Sequence, residues 1–274
     1  MKIINLMENT KGSQDCACEH GLSFYIETKN HKLLVDTGAS EAFMDNAKKL
    51  GVDLKAVDTL VLSHGHYDHS GGLMAFAELN PKAKIYVHAK AFGPFYHVSG
   101  DKERYIGVDP RIQNLEQVVF VDKDCVIDEE LFIFTHVTGR KLWPSGNLEL
   151  KEKVENGWKQ DDFEHEQYLV ISEGDTKVLI SGCAHNGILN IMDQAISLLG
   201  KAPDMVISGF HMMQKNGYSD EDISNICETA NSLKQWNTIY YTGHCTDQLP
   251  FDTMKQIMGD QVRYVHSGDF IEFS

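Results

Sequence analysis

Three imidazoles and one carboxylate fall within six residues of this chain, in the run Ser63-His64-Gly65-His66-Tyr67-Asp68-His69-Ser70-Gly71-Gly72. Imidazole is a ligand for zinc, iron, nickel and copper, and a carboxylate adds harder character. Side chains alternate faces along an extended chain, so His64 and His66 point the same way and can grip one ion. Asp68 and His69 come after the loop turns and can face a second ion beside the first. Gly65, Gly71 and Gly72 permit tight turning and close backbone approach. Two ions about 3.5–4 Å apart clamp a bridging hydroxide and both oxygens of a displacement, which is the chemistry of hydrolysis. A solvated surface cluster needs neither this order of ligands nor this glycine frame.

Such a loop needs rigid elements on both sides. Residues 57–62 read as a buried-type strand that delivers it, and residues 71–79 as the helix that follows. Short β-type runs alternate with helical ones along the rest of the chain, which predicts an α/β fold. Strands are expected at 2–6, 22–28, 32–36, 84–88, 118–121, 131–138, 168–172, 177–181, 205–208 and 238–242, with a final strand pair over 262–272. Helices are expected at 40–50, with Ser40 as N-cap and Gly51 as terminator, and at 187–199, 219–234 and 250–258. Residues 91–116 mix glycine, proline and aromatics. Residues 139–165 are polar, carry Trp143 and Trp158 and show no steady period, so they are expected to be an irregular segment acting as a lid. An apolar strand running into a Gly/His loop occurs twice, at 59–66 and at 238–244. These are expected to be two related half-units with their loops at one shared edge, where α/β sheets bind ligands.

The chain has 274 residues, 42% hydrophobic and 24% charged, which is ordinary globular composition. No linker or low-complexity tract divides it, so a single domain over 1–274 is expected. With 25 basic against 40 acidic residues the net charge is −15, a field that repels nucleic acid and anionic membranes. No apolar stretch approaches the length of a membrane span. Residues 1–10 contain no long apolar stretch, and a cytoplasmic location is expected. The six cysteines are scattered and are expected to be free thiols. The expected partner is a small molecule, one that can carry phosphate.

His64-x-His66-x-Asp68-His69 resembles the signature of the metallo-β-lactamase-fold superfamily. Further segments carry the resemblance along nearly the whole chain: Leu33-Leu34-Val35-Asp36-Thr37-Gly38, Val178 to His185, and Thr242-Gly243-His244-Cys245-Thr246. Glu19-His20-Gly21, Gly182-Cys183-Ala184-His185-Asn186-Gly187 and Ser208-Gly209-Phe210-His211 are similar to one branch. Its members are described as 7,8-dihydropterin-6-methyl-4-(β-D-ribofuranosyl)aminobenzene-5′-phosphate synthases or as metal-dependent hydrolases. The resemblance implies a four-layer αββα sandwich, two mixed β-sheets flanked by helices, with two divalent metal ions at the sheet edge. Zinc is the first expectation, with iron or manganese as the alternatives.

The resemblance also implies a ligand set: His64 and His66 for the first ion, Asp68, His69 and His244 for the second, and Asp36 as a buttress behind the loop. Two positions depart from the superfamily pattern. Cys183 stands where a bridging Asp is usual, and His165-Glu166-Gln167 stand where another His is usual. His185 is the natural substitute ligand, with Cys183, His165 and Glu166 as weaker candidates. His211 follows another apolar strand and is a candidate general acid, and Asp68 would orient the nucleophile. His20 is a weaker candidate for the same edge. His31, His88, His97, His136 and His266 read as structural or exposed. Arg140 and Lys141 are candidates for meeting an anionic substrate, weighed against solvated surface charge. The expected function is a binuclear metal-dependent hydrolase that cleaves an ester or phosphoester through a metal-bridging hydroxide. The alternatives are the synthase, a transferase that forms a carbon–nitrogen bond, and a non-hydrolytic metal-binding or redox protein.

Overall fold

A computed structural model describes residues 1–272 of the expected domain over 1–274; residues 273–274 lie outside the described part. Two seven-stranded sheets stack face to face. The first runs, in spatial order, Phe270–Glu272, Lys2–Met7, Ser23–Glu27, Lys32–Val35, Thr59–Val61, Lys84–His88, Val118–Val121. The second runs Val262–Tyr264, Ile239–Thr242, Met205–Ile207, Thr176–Ile180, Tyr168–Glu173, Leu131–Phe134, Cys125–Val126. Each is mixed: an antiparallel part is followed by a run of parallel strands.

Alternation along the strands builds the four layers. Leu33 and Val35 enter the space between the sheets and meet Ile133, Leu169, Ile171 and Ile180 from the other side. Leu34 turns outward, to a layer closed by Phe43 of helix Ala42–Lys49 and Phe76 of helix Leu73–Leu79. On the far side, Leu179, Val206 and Tyr240 face helices Ile188–Leu199, Asp220–Leu233 and Gln248–Met258. The expected αββα sandwich is therefore present. The strands at 59–66 and 238–244, singled out as half-unit equivalents, sit in different sheets among parallel neighbours.

Three expectations are corrected. The final strand pair does not form: Val262–Tyr264 joins the second sheet and Phe270–Glu272 joins the first, so the chain crosses between sheets. The N-cap of helix Ala42–Lys49 is Glu41; Ser40 Oγ instead accepts from the Ala42 N–H at 3.2 Å. Residues 139–165 are not irregular throughout. They hold a 3-10 turn, Ser145–Glu149, and a hairpin, Leu150–Val154 with Gly157–Gln160. This hairpin pairs with Phe95–Ser99 and Lys102–Tyr105 to form a third, four-stranded sheet. No period marks it because its outer strand, Lys102–Tyr105, is exposed at every position and its inner face mixes apolar with charged groups. Leu150 and His97 are cross-strand partners, as are His97 and Arg104, so these three share one face and wall the cavity at the sheet edge. Trp158 packs on Tyr96 at 5.1 Å between ring centroids and does not line that cavity. No helix among the described residues is long and apolar enough to cross a membrane.

Candidate metal centre

The carboxyl ends of the parallel strands converge. Thr59–Val61 leads to His64 and His66; Asp68 and His69 lie on a single helical turn, Tyr67–Ser70. Thr176–Ile180 leads to Cys183 and His185, Met205–Ile207 to His211, and Ile239–Thr242 to His244. Gly182 is required at this junction: a Cβ there would collide with the Ser63 side chain, so only glycine lets the loops of the two sheets meet. Asp36, Ala184, His211 and His244 all hold left-handed backbone, with φ of 59°, 48°, 50° and 52°. Non-glycine residues in that region cost about 1–3 kcal/mol each and gather where a structure fixes functional side chains.

Hydrogen bonds on the outward ring nitrogens set the tautomers. Ser63 Oγ donates to Asp36 Oδ2 at 2.7 Å, so it accepts from His64 Nδ1 at 2.9 Å. Asn147 Nδ2 donates to the His185 carbonyl, so Asn147 Oδ1 accepts from His185 Nδ1 at 2.9 Å. Asn9 Oδ1 accepts from His244 Nδ1 at 2.8 Å, and Asp36 Oδ2 from His69 Nδ1 at 2.6 Å. The Nε2 atoms of His64, His185 and His244 are thereby left as lone pairs turned inward. His64 Nε2 lies 3.3 Å from His185 Nε2 and 3.0 Å from His66 Nδ1. His244 Nε2 lies 3.4 Å from Asp68 Oδ2 and has no hydrogen-bond partner although buried. Facing lone pairs in a buried site repel unless a cation stands between them.

Cys183 joins the two groups. Its Sγ is 3.1 Å from His69 Nε2 and lies within ligating reach of His64 with His185 and of His69 with His244. His20 Nε2 is 3.3 Å from Asp68 Oδ2. Burial, with the neighbouring imidazoles, holds His64 and His185 well below the usual histidine range, and His66 at about 3. Burial would lower His69 too, but Asp36 and Asp68 outweigh it and raise it to about 9. Burial opposes ionisation of Asp68, yet the charge on His69 outweighs it and holds the carboxyl well below the usual range. Burial pushes the Cys183 thiol up. Neutral imidazoles at His64, His66 and His185, the ionised Asp68 and a thiol at Cys183 make a donor set that fits a divalent cation.

The sequence candidates divide on this geometry. His64, His66, Asp68, His69, His185, His244 and Cys183 come together. Glu166 does not reach the cluster, and His165 meets it only at His66, with Asp161 as the third group. His165 Nδ1 accepts from the Gly65 N–H at 3.0 Å and its Nε2 faces Asp161 at 3.1 Å. Glu166 accepts from the N–H groups of His185 and Asn186 and from Tyr168 Oη, so it is a buried scaffold for the 183–187 loop. His211 borders the cluster, its ring 4.1 Å from that of His185, with a buried Nδ1 lacking a partner. Arg140 clamps the carbonyls of Gly139 and Asp162 and the side chain of Asn186, and neither it nor Lys141 lines the cavity. Sequence reasoning missed Asn9 and Asn147, which nothing in their local pattern announces, and Cys245, which directly follows His244 and lies within reach of Cys183 and His211. All six cysteines are free, Cys16 and Cys18 included. The cluster opens into a cavity of about 530 Å³ lined also by Tyr67, Arg104, Glu149 and Lys215.

A model of the metallo-beta-lactamase superfamily matches residues 17–207. The chain is 28% identical to a protein of Methanocaldococcus jannaschii described as 7,8-dihydropterin-6-methyl-4-(beta-D-ribofuranosyl)-aminobenzene-5'-phosphate synthase; the match covers 100% of this chain and 97% of that protein. It is also similar to a crystal structure described as a metal-dependent hydrolase of the beta-lactamase superfamily, with a TM-score of 0.82 and 28% identity over 100% of this chain and 99% of that one. Zn(2+)-bound PqqB from Methylobacterium extorquens has the same fold, with a TM-score of 0.57 and 13% identity over 100% of both chains.

Proposed function

The chain belongs to the metallo-beta-lactamase superfamily, and on that premise we propose that it is a binuclear metal-dependent hydrolase of small-molecule esters or phosphoesters. The observation that carries the reading is the inward set of unprotonated imidazole nitrogens, His64 and His185 facing each other at 3.3 Å and His244 facing Asp68 at 3.4 Å. His64, His66 and His185 would hold one ion, and Asp68, His69 and His244 the other. Cys183 stands between the groups and replaces a carboxylate with a thiolate, which favours zinc. When bound, divalent ions supply Lewis-acid polarisation of the ester or phosphoryl oxygen and lower the pKa of water.

The chain's own groups supply the rest. Asp68, held as a carboxylate chiefly by His69, accepts a hydrogen bond from the attacking water and orients it. His211, at the cavity wall with a free Nδ1, protonates the leaving group. Leu150, His97 and Arg104 of the third sheet form one wall of the cavity. The substrate is a small molecule that fits about 530 Å³, inside the usual range for such sites.

The full-length likeness to a synthase favours a second reading, a transferase that forms a carbon–nitrogen bond in the same cavity. Metal content per chain, measured by plasma mass spectrometry on protein kept free of chelator, tests the site. About two equivalents together with turnover of a phosphodiester, ester or lactone supports the hydrolase. One equivalent or none overturns the binuclear site. Two equivalents without hydrolysis, but with coupled product from a dihydropterin diphosphate and a ribosylaminobenzene phosphate, replaces it with the transferase.

A further inference from the structure

The cavity is not uniform in charge. Near the ligand cluster it carries imidazoles and Asp68, whereas its outer wall carries two cations, Arg104 and Lys215, in a chain with 15 more acids than bases. Arg104 comes from the third sheet, directly across from His97. Lys215 comes from the loop after His211 and also lines the cavity. Lys215 Nζ lies 2.9 Å from His97 Nε2, so the imidazole ties the loop to the sheet. The same nitrogen, His97 Nε2, lies 2.9 Å from Glu149 Oε2, and Glu149 Oε1 accepts from Ser99 Oγ at 2.7 Å. Among the described residues, neither Arg104 nor Lys215 has a carboxylate within ion-pair distance. Arg104 instead donates to Tyr67 Oη at 3.3 Å, with its guanidinium 5.3 Å from that ring's centroid. Tyr67 directly precedes Asp68, so this wall adjoins the metal-ligand loop. Glu221 and Asp222 line the same cavity, but Asp222 is bound by Ser145 and Ser219.

We propose that Arg104 and Lys215, with His97 positioning Lys215, form an anion subsite that holds a phosphate group of the substrate remote from the bond that reacts. The inference rests on the reading of this cavity as the substrate site. A planar guanidinium fork and an ammonium, both beside His97, suit a tetrahedral dianion, which can take two parallel hydrogen bonds from the first and a point contact from the second. The subsite selects phosphomonoesters over neutral analogues and orients them with the far end at the imidazole cluster.

The test uses metal-loaded protein and phenylphosphonate, whose carbon–phosphorus bond an ester hydrolase leaves intact, with benzamide as the neutral counterpart. Calorimetric titration should give phosphonate binding that weakens roughly ten- to a hundredfold for each of Arg104→Gln and Lys215→Gln, the size of a lost charged hydrogen bond. Arg111→Gln, distant and exposed, should bind as the parent does. Affinity should fall with added salt in the parent and much less in the double variant. Unchanged phosphonate affinity in the double variant would place the anion on the metal ions and overturn the subsite, as would phosphonate binding no tighter than benzamide. Both side chains are exposed; should either variant melt early, Arg104→Lys and Lys215→Arg take its place, and the loss expected is then smaller but still confined to the phosphonate. Because the readout is binding, absence of hydrolysis would overturn the hydrolase reading and leave this result standing.

Discussion

Asp36 Oδ2 lies 2.6 Å from His69 Nδ1 and 2.7 Å from Ser63 Oγ, so one buried carboxylate orients the ligand rings of both metal groups, His69 directly and His64 through the serine. Its Oδ1 accepts from the Ser63 N–H at 2.7 Å, which leaves the carboxylate fully engaged. Asp36→Asn puts an N–H₂ where two donors now point. Such outer partners typically carry 10–100-fold in metal affinity. The expected outcome is a loss of about that size, measured by competition with a chromophoric chelator. The metal-free variant should also be less stable by about 3–5 kcal/mol in urea, because a buried partner is removed from His69. Unchanged metal affinity would mean that the rings are fixed by packing alone.

Cys183 occupies the space between the two imidazole groups, and its thiol is pushed up by burial, so metal binding must release its proton. Cobalt-substituted protein should show a thiolate-to-cobalt charge-transfer band. Cys183→Ser should lose the band and bind at least one ion more weakly, by roughly tenfold or more. Cys183→Asp should restore two equivalents without the band. A band that survives in Cys183→Ser and disappears in Cys245→Ser would assign the thiolate to Cys245.

The part of the site legible in the sequence is the part encoded locally. His64, His66, Asp68 and His69 lie on one loop after an apolar strand, and His185, His211 and His244 follow strands that all end at the same edge. Asn9 and Asn147 set two tautomers from positions far away in the chain, 235 and 38 residues from their partners. That relation exists only after folding. The third sheet was hidden for a different reason. Its strands have one face on the cavity and one on solvent, and the cavity face includes His97 and Arg104, so a hydrophobic period of two never develops. The crossing between the sheets at 265–269 has no local signal: two strands close in sequence read as a pair, whereas each completes the edge of a different sheet.

His31 ties the two sheets together at the turn between Ser23–Glu27 and Lys32–Val35, with Nδ1 2.9 Å from Asp58 and Nε2 2.8 Å from Asp128. Burial lowers its pKa, but hydrogen bonds and attraction from Asp58 and Asp128 outweigh this and raise it above the ordinary value. A raised folded pKa stabilises the protein at pH below the unfolded value near 6.5, and this contribution is lost as pH rises through the folded value. The pair is partly exposed, so the contribution is about 1 kcal/mol or less. Thermal melting at pH 5.5 should therefore separate the parent from His31→Asn by up to a few degrees, and at pH 9 the two should converge. A gap that is equal at both pH values would show that the charge on His31 contributes nothing.

Phe163 is fully buried and stacks on the His185 ring, centroids 4.5 Å apart and planes 3° from parallel, with Trp143 and His165 also in contact range. Its backbone sits at φ 55°, held there by Asp161 Oδ1, which accepts from the Phe163 N–H at 2.8 Å. The ring thus fixes the plane of His185 from the side that Asn147 does not reach. Phe163→Ala should destabilise the protein by about 3–5 kcal/mol in urea denaturation, and it should also free His185 to rotate. Metal affinity of the His64–His66–His185 group should fall with it. Phe163→Leu refills most of the volume without the flat face. Its stability should recover more fully than its metal affinity, and equal recovery of both would show that only the filled volume matters to His185.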